Sequence, residues 1–546
     1  MKYIAGILLI LMASALSGSG QEKPAQRKAV DLSLTAVGRQ HHPIRTDSME
    51  AQEYFDQGIT LIYGFNHEEA ALAFQRAAEL DPASPMPLWG IALALGPNYN
   101  ADVDAASEKL AWDTIQKAKN LSVHAPQVEQ DYVASLATRY SGDTKPDYKK
   151  LSRDYAAAMK ALSAKYPDDL DAATMYAESL MVLHPWKLWA TDGKPGEDTP
   201  EIVRVLESVL AREPNHAGAN HYYIHSVEAS ANPDRALMSA HRLESMVPRA
   251  GHLVHMPAHI YERTGYYDAA LKSNLEAAKV DAVYAENAKA TGSMYDLVYH
   301  SHNEHFAAMA ASMQGNYAAA RTSAEAMTER LMPHVSTMPM LDSFIMTPIW
   351  VDTRFGKWSE ILSRREPAKE LVNTHAMWRY SRAVALAQQG KTTEAEKEKE
   401  LLSREAAAIP PDTLFGEQNK VSDVLGIALH AVEARIASAQ GFNDAAIVHW
   451  QQAVALQDKL NYAEPADWYY PVRESLAAEL LKNGKPSEAE QVFREDLRQN
   501  PRNPRSLFGL QESLRVQGKE SDAAWVERQF EAGWKQADTK LTLAGL

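Results

Sequence analysis

Apolar and small residues recur along most of the chain at spacings of three and four, the period of a helix that buries one face. Ala70, Phe74 and Ala77 follow this spacing near the start, and similar stretches return repeatedly towards the end. Runs of β-branched residues are few, while Gly and Pro residues separate the helical stretches. The pattern therefore predicts an all-α protein made of many short helices joined by tight turns.

The helical stretches also repeat at a fixed distance. Gly484 and Gly518 are 34 residues apart, and so are Pro214 and Pro248. This is the period of the tetratricopeptide repeat, and the chain resembles that family over most of its length. The resemblance implies helix-turn-helix units stacked into a right-handed superhelical solenoid. It also implies that the first helix of each unit lines a concave surface.

Composition and the repeats together divide the chain into regions. In order, we predict a signal peptide (1–20), a linker (21–50), an N-terminal repeat region (51–200) with a loop (184–200), a histidine-rich repeat region (201–330), a Met/Pro-rich connector (331–375) and C-terminal repeats (376–540). The loop could be a lid beside a site, with Trp186 and Trp189 as contacts, or a plain insertion. About 16 extra residues between Gly265 and Gly315 predict a loop near 281–292 and a longer first helix of the repeat.

The net charge, the absence of cysteine and the N-terminal residues limit which functions and locations we expect for the protein. A net charge of −15 argues against a nucleic-acid partner. The absence of cysteine excludes disulfides, iron–sulfur clusters and thiolate metal sites. Lys2, the apolar run from Ile4 to Met12 and the small residues that follow predict an exported protein, periplasmic or extracellular after cleavage. An uncleaved anchor is the alternative, and no other segment is apolar enough to span a membrane.

Histidines are concentrated in one region: residues 215–305 hold ten of the 19. Two H-x3-H-x2-E triplets lie there with an offset of 34 residues, so the helix period places each triplet within about 60° of arc. Two further histidines share their phase one repeat later. The predicted metal ligands are His221, His225, His252, His255, His259, His302 and His305.

These ligands suit a transition metal, because neutral imidazole binds copper, iron and zinc; the identity of the metal stays open. Helices that pack about 8–10 Å apart can share an ion through such side chains. Glu228 and Glu262 are candidate carboxylate ligands or catalytic general bases. His216 and His241 do not share the phase and are expected at the surface, and His300 is a secondary candidate.

Three hypotheses follow. The first is an exported solenoid with a His/Glu metal centre on its concave face, acting as a metal-dependent redox or hydrolytic enzyme. The second is a scaffold that binds a peptide or protein in its groove without metal, with the histidines as a polar lining. The third is a metal-binding protein without catalysis. Phosphate-loop, serine-elbow and dinucleotide-binding motifs are missing from the sequence.

Overall fold

The computed structural model describes residues 28–30 and 40–546. This part of the chain is helical apart from one short hairpin, β1 (Leu414–Phe415) with β2 (Asn419–Lys420). The predicted signal peptide lies outside the described residues. Among the helices that are described, none has the length and apolar character that a membrane span requires.

Short helices follow one another along the described chain. Helices α1 to α13 are Met49–Tyr63, His67–Leu80, Met86–Leu95, Ala105–Ser122, Gln127–Ala137, Tyr148–Lys165, Leu170–Met181, Thr199–Arg212, Ala217–Val227, Leu237–Met246, Gly251–His255, Pro257–Thr264 and Tyr267–Asn287. Helices α14 to α26 are Ser301–Met313, Tyr317–Leu331, Asp342–Ile345, Thr347–Arg354, Trp358–Ser363, Val372–Gln388, Thr392–Ala408, Val421–Ala439, Asn443–Gln457, Val472–Lys482, Pro486–Gln499, Pro504–Val516 and Glu520–Gly533. A π-helical turn spans Tyr295–His300.

Successive helices pair because small residues allow close approach around a buried ring. The ring of Phe74 on α2 lies against Gly58 on α1 and Gly90 on α3, and a Cβ at either glycine would lie 2.5 Å from that ring. Near the end of the chain, Gly509 faces Phe493 in the same way. Glycine therefore costs helix propensity here but lets three helices close around one aromatic side chain. The predicted helix-turn-helix units are confirmed.

The turns inside the pairs explain the repeated glycines. Glycines in these turns have φ values between 71° and 79°, a region that other residues rarely adopt. Each lies five residues before an alanine that is at most 1% exposed. The glycines are Gly265, Gly315, Gly390, Gly441, Gly484 and Gly518.

The chain divides into two compact units. The first unit comprises Met1–Ile260 and Glu276–His300, and the second comprises Tyr261–Leu275 and Ser301–Leu546. The core of the first unit includes Trp89, whose ring lies 5.5 Å from that of Tyr132. The core of the second includes Trp350, whose ring lies 5.0 Å from that of Trp468.

The inserted residues after Gly265 do not form the predicted loop over 281–292. Helix α13 continues to Asn287, and the π-helical turn begins at Tyr295. Alanines and alternating charged residues sustain the helix through this stretch, because they lose little side-chain entropy on becoming helical. The insertion therefore lengthens a helix and leaves only a short connection.

Asp467 makes the second unit sensitive to pH. It accepts a hydrogen bond of 2.8 Å from the Asn419 amide beside the hairpin. Burial raises the pKa of Asp467 to about 7; the bond from Asn419 opposes this rise and Glu417 adds to it. An unfolded aspartate has a pKa near 4, so between about pH 4 and 7 only the folded state keeps the proton. Stability is therefore lost as the pH rises through that window.

Asp467→Asn should remove this loss. At pH 8 we expect the free energy of unfolding of the variant to exceed that of the parent by about 2–4 kcal/mol. This difference should disappear below about pH 4. Urea unfolding followed by tryptophan fluorescence at both pH values measures the difference. Asp444→Asn, at a side chain that is 96% exposed, is the control that should change little. A gain that does not depend on pH would contradict the assignment.

Candidate metal centre

Helix α9 carries the first triplet and is buried on all sides. Its N-cap is His216, whose ring accepts a 3.1 Å hydrogen bond from the Ala219 amide. A Cβ at Gly218 would lie 2.5 Å from the ring of Tyr63, so glycine lets α9 pack on the end of α1. The other nitrogen of His216 lies 3.1 Å from Asp171. The prediction that His216 lies at the surface is wrong, because it caps a buried helix.

Three imidazoles converge where α9 meets α11. The ligand atoms of His221, His225 and His252 all lie within 4.8 Å of one another. The Nε2 atoms of His221 and His252 are 3.2 Å apart. Two nitrogens bound tetrahedrally to one ion at about 2.0–2.1 Å would stand about 3.3–3.4 Å apart. The observed separation therefore fits two ligands of one ion.

Hydrogen bonds hold the outer nitrogens of His221 and His225. His221 donates from Nδ1 to the carbonyl of Tyr63, which lies at the end of α1, where helix carbonyls lack intrahelical partners. Glu228 bridges two rings: its oxygens lie 2.8 Å from Nδ1 of His225 and 2.6 Å from Nδ1 of His259. A carbonyl or carboxylate at Nδ1 fixes the proton there and makes Nε2 the lone-pair nitrogen.

The bridging by Glu228 joins the two triplets. Its carboxylate contacts His225 of its own triplet and His259 of the next one. His259 in turn lies 2.7 Å from His255, measured between their Nε2 atoms. The first glutamate therefore orients imidazoles in both repeats. A general-base role for Glu228 stays a prediction.

The five predicted ligands that belong to the first unit are buried, each at most 2% exposed: His221, His225, His252, His255 and His259. The resemblance implied that these side chains line an open concave groove, but their burial shows that they do not. Burial lowers the pKa of His221 and His252 well below the usual value, and neighbouring imidazoles add to the effect. Both rings are neutral at pH 7, the form that binds metal.

Nδ1 of His252 is a buried nitrogen for which the described residues offer no hydrogen-bond partner. Such a group is costly to bury unless something binds it. The backbone amide of the same residue donates to the hydroxyl of Tyr295 at 3.0 Å, which fixes the start of α11. The ring of Tyr299 packs edge-on to His252 at 5.0 Å. The π-helical turn thus supplies one wall of the cluster.

Phe65, which no sequence motif singled out, supplies another wall. Its ring lies 4.6 Å from that of His221 and 5.3 Å from that of His252. Its φ is +56°, which is rare for a bulky residue. Phe65 stands five residues before Ala70, the place where later repeats carry their turn glycine. An aromatic residue at that glycine position was the signal that could have found it.

The loop 184–200 lies beside the same cluster. Trp189 donates from Nε1 to the carbonyl of Ser226 on α9 at 2.8 Å. The ring of Trp186 stacks on Tyr99 at 5.3 Å and lies 6.2 Å from that of His225. Trp186 has a φ of +60°, and its Nε1 is buried without a partner among the described residues. Strain and an unsatisfied donor at one residue are typical of functional positions.

Three predicted site residues belong to the second unit. His302 packs on Phe306 at 4.8 Å. His305 is half-buried near Phe344, and burial lowers its pKa to about 3. Glu262 is half-buried and lies near the phenol of Tyr267. The roles of His302, His305 and Glu262 at a metal stay predictions. His300, the secondary candidate, is buried in the first unit, 2.9 Å from Asp296.

Comparison with known proteins adds little about function. No protein-family model and no curated protein matches the chain. Among solved structures, it is similar to a human IFIT1 dimer with PPP-AAAA at 13% identity, covering 89% of this chain and 91% of that one with a TM-score of 0.32. Yeast Tom70 is similar at 13% identity, with 88% and 96% covered and a TM-score of 0.32. Cut9–Hcn1 of the APC/C is similar at 12% identity, with 90% and 79% covered and a TM-score of 0.31.

At such TM-scores the backbones superpose too loosely for these similarities to indicate a ligand. The repeat architecture is inferred from features of this chain rather than from those similarities. Its helix pairs, its turn glycines and its 34-residue period resemble those of tetratricopeptide repeats.

Proposed function

We propose that His221, His225 and His252 bind one transition-metal ion, copper, iron or zinc, in the first unit of an exported repeat protein. The observation that supports this most is the convergence of three buried imidazoles, each with a ring nitrogen within 4.8 Å of those of the other two. Their outer nitrogens are partly fixed already, by the carbonyl of Tyr63 and the carboxylate of Glu228. Metal-bound histidines usually have such partners.

Three protein ligands leave a coordination position for water or substrate, which is the arrangement of catalytic sites. We therefore favour a metal-dependent enzyme over a metal store. A metal held by imidazoles alone is suited to activating water or to redox chemistry. The buried Nε1 of Trp186 would provide a hydrogen-bond donor to a bound ligand beside His225.

Metal content tests the proposal. The parent for this experiment carries H430Q and H449Q, because those two surface histidines also lie 3.3 Å apart. After loading with Cu²⁺, Fe²⁺ or Zn²⁺ in turn and desalting, we expect about one ion per chain for the matching metal. Adding H225Q and H252Q together should remove that ion, as measured by mass spectrometry of the metal.

His375→Gln is the matched control. It removes a buried histidine of the second unit, 3.1 Å from Glu366, and should leave the metal content unchanged. Far-UV circular dichroism checks that each variant is folded. If no metal binds under replete conditions, or if H225Q/H252Q retains the ion, the scaffold that binds a peptide or protein becomes the better hypothesis.

Azide or cyanide distinguishes the enzyme from the metal store. An exchangeable position on the loaded ion should bind either anion and change its absorption or electron paramagnetic resonance spectrum. Trp186→Phe keeps the stacked ring but removes the N–H, and should weaken anion binding without loss of metal. A spectrum that does not respond to either anion would favour a non-catalytic metal-binding protein.

A further inference from the structure

A second group of possible ligands lies on the surface of the second unit. His430 and Glu433 stand one turn apart on α21, and His449 stands on the paired helix α22. Each of the three side chains is about one-third exposed, at 31%, 33% and 30%. His430 and His449 are 19 residues apart and share no motif, so the sequence alone indicates no role for them.

Three potential ligand atoms form a compact triangle. The Nδ1 atoms of His430 and His449 are 3.3 Å apart. Oε2 of Glu433 lies 3.0 Å from Nδ1 of His449 and 3.5 Å from Nδ1 of His430. The edges of a tetrahedron of ligands around Zn²⁺ at about 2.0–2.1 Å are about 3.3–3.4 Å long. The triangle therefore matches one face of such a tetrahedron.

Packing fixes the backbone that carries these ligands. Val432, next to Glu433, is fully buried, and Trp450, next to His449, is 3% exposed. The turn between the two helices passes through Gly441 in the left-handed region, with a φ of 79°. The helices therefore hold the three side chains near each other before any ion arrives, which lowers the entropy cost of binding.

The two oxygens of the Glu433 carboxylate face different groups. Oε1 of Glu433 faces Lys399 at 3.9 Å, while Oε2 faces the two imidazoles. A hydrogen bond from one imidazole to Oε2 explains the 3.0 Å contact, but it does not require both Nδ1 atoms to face each other at 3.3 Å. Two imidazoles and a carboxylate are a common ligand set for zinc.

We propose that His430, Glu433 and His449 form a surface site for Zn²⁺ or a similar divalent transition-metal ion, with solvent in the fourth position. The ion would bridge α21 and α22 and hold this pair of helices together. The site is independent of the buried histidines of the first unit.

Hydrogen–deuterium exchange with added Zn²⁺ locates the site directly in the unmodified chain. We expect slower exchange in the peptides covering Val421–Ala439 and Asn443–Gln457, with a single apparent affinity. His449→Gln should weaken that affinity by roughly tenfold or more, since removing even an outer partner of a ligand costs about 10–100-fold. Zinc bound by the buried histidines would not protect these two helices, so failure of one proposal leaves the other testable.

Two further variants test the effect of the nearby charge and provide a control. Lys399→Met removes the positive charge beside Glu433 and should tighten Zn²⁺ binding, whereas His124→Gln, at an exposed histidine of the first unit, should not change it. Equal protection in the parent and in His449→Gln would overturn the proposal. So would the absence of protection at millimolar Zn²⁺.

Discussion

Glu474→Ala should destabilise the second unit by about 3–5 kcal/mol, because it leaves two buried guanidinium groups without their counter-charge. Glu474 is 1% exposed on α23 and accepts two hydrogen bonds from Arg354, at 2.6 and 3.0 Å. Arg505 donates a third at 2.9 Å. Burial opposes ionisation of this carboxyl, yet the two arginines lower its pKa below the usual value. The carboxylate therefore links α17, α23 and α25 electrostatically.

Hydrogen exchange in those three helices measures the expected loss as a lower free energy of opening. Glu495→Ala is the control. Glu495 forms an exposed ion pair with Arg498 on the same helix, α24, and its loss should lower the stability by less than about 1 kcal/mol. Replacing Arg354, Glu474 and Arg505 together by Met, Leu and Met should restore much of the stability, since no charge then stays unpaired. A loss below about 1 kcal/mol for Glu474→Ala alone would contradict this role.

The sequence predicted the histidine cluster because two periods act together. The helix period places the residues of each triplet on one helix face. The 34-residue repeat places the equivalent face of the next repeat beside it. Together the two periods predicted that His221, His225 and His252 lie close to one another, although no side-chain contact was known. They could not predict the burial of the rings, which depends on the Phe65 turn and on the loop around Trp186 packing over α9.

Contacts between side chains on different helices, and contacts at helix caps, could not be predicted from the sequence. His430 and His449 meet only because α21 and α22 run side by side, and no spacing rule joins them. His216 looked like a surface residue because its phase differs from that of the triplets, but it caps α9 and contacts Asp171 inside the core. Helical periodicity reports on faces within regular helices; caps and contacts between helices follow from tertiary packing.

Glu228→Gln should lower the metal affinity of the buried cluster by about 10–100-fold while the ion still binds. The carboxylate accepts from Nδ1 of His225 and of His259, and both its oxygens are used. Glutamine keeps the shape but offers one acceptor oxygen, so one imidazole loses the partner that fixes its proton and orientation. A carboxylate that orients two imidazoles thus affects the metal affinity through ring geometry.

Competition between the H430Q/H449Q parent and a chromophoric zinc chelator measures the affinity before and after Glu228→Gln. Glu207→Gln is a matched control on the preceding helix: its carboxylate accepts hydrogen bonds from Tyr223 and Arg235 rather than from an imidazole, so the replacement should not change the affinity. If Glu228 acted only as a general base, its replacement would abolish turnover and leave zinc affinity unchanged. If it were itself a ligand, the loss would exceed about 100-fold, because a direct bond to the ion would go with it. A loss between those limits singles out the carboxylate that orients two imidazoles from successive repeats.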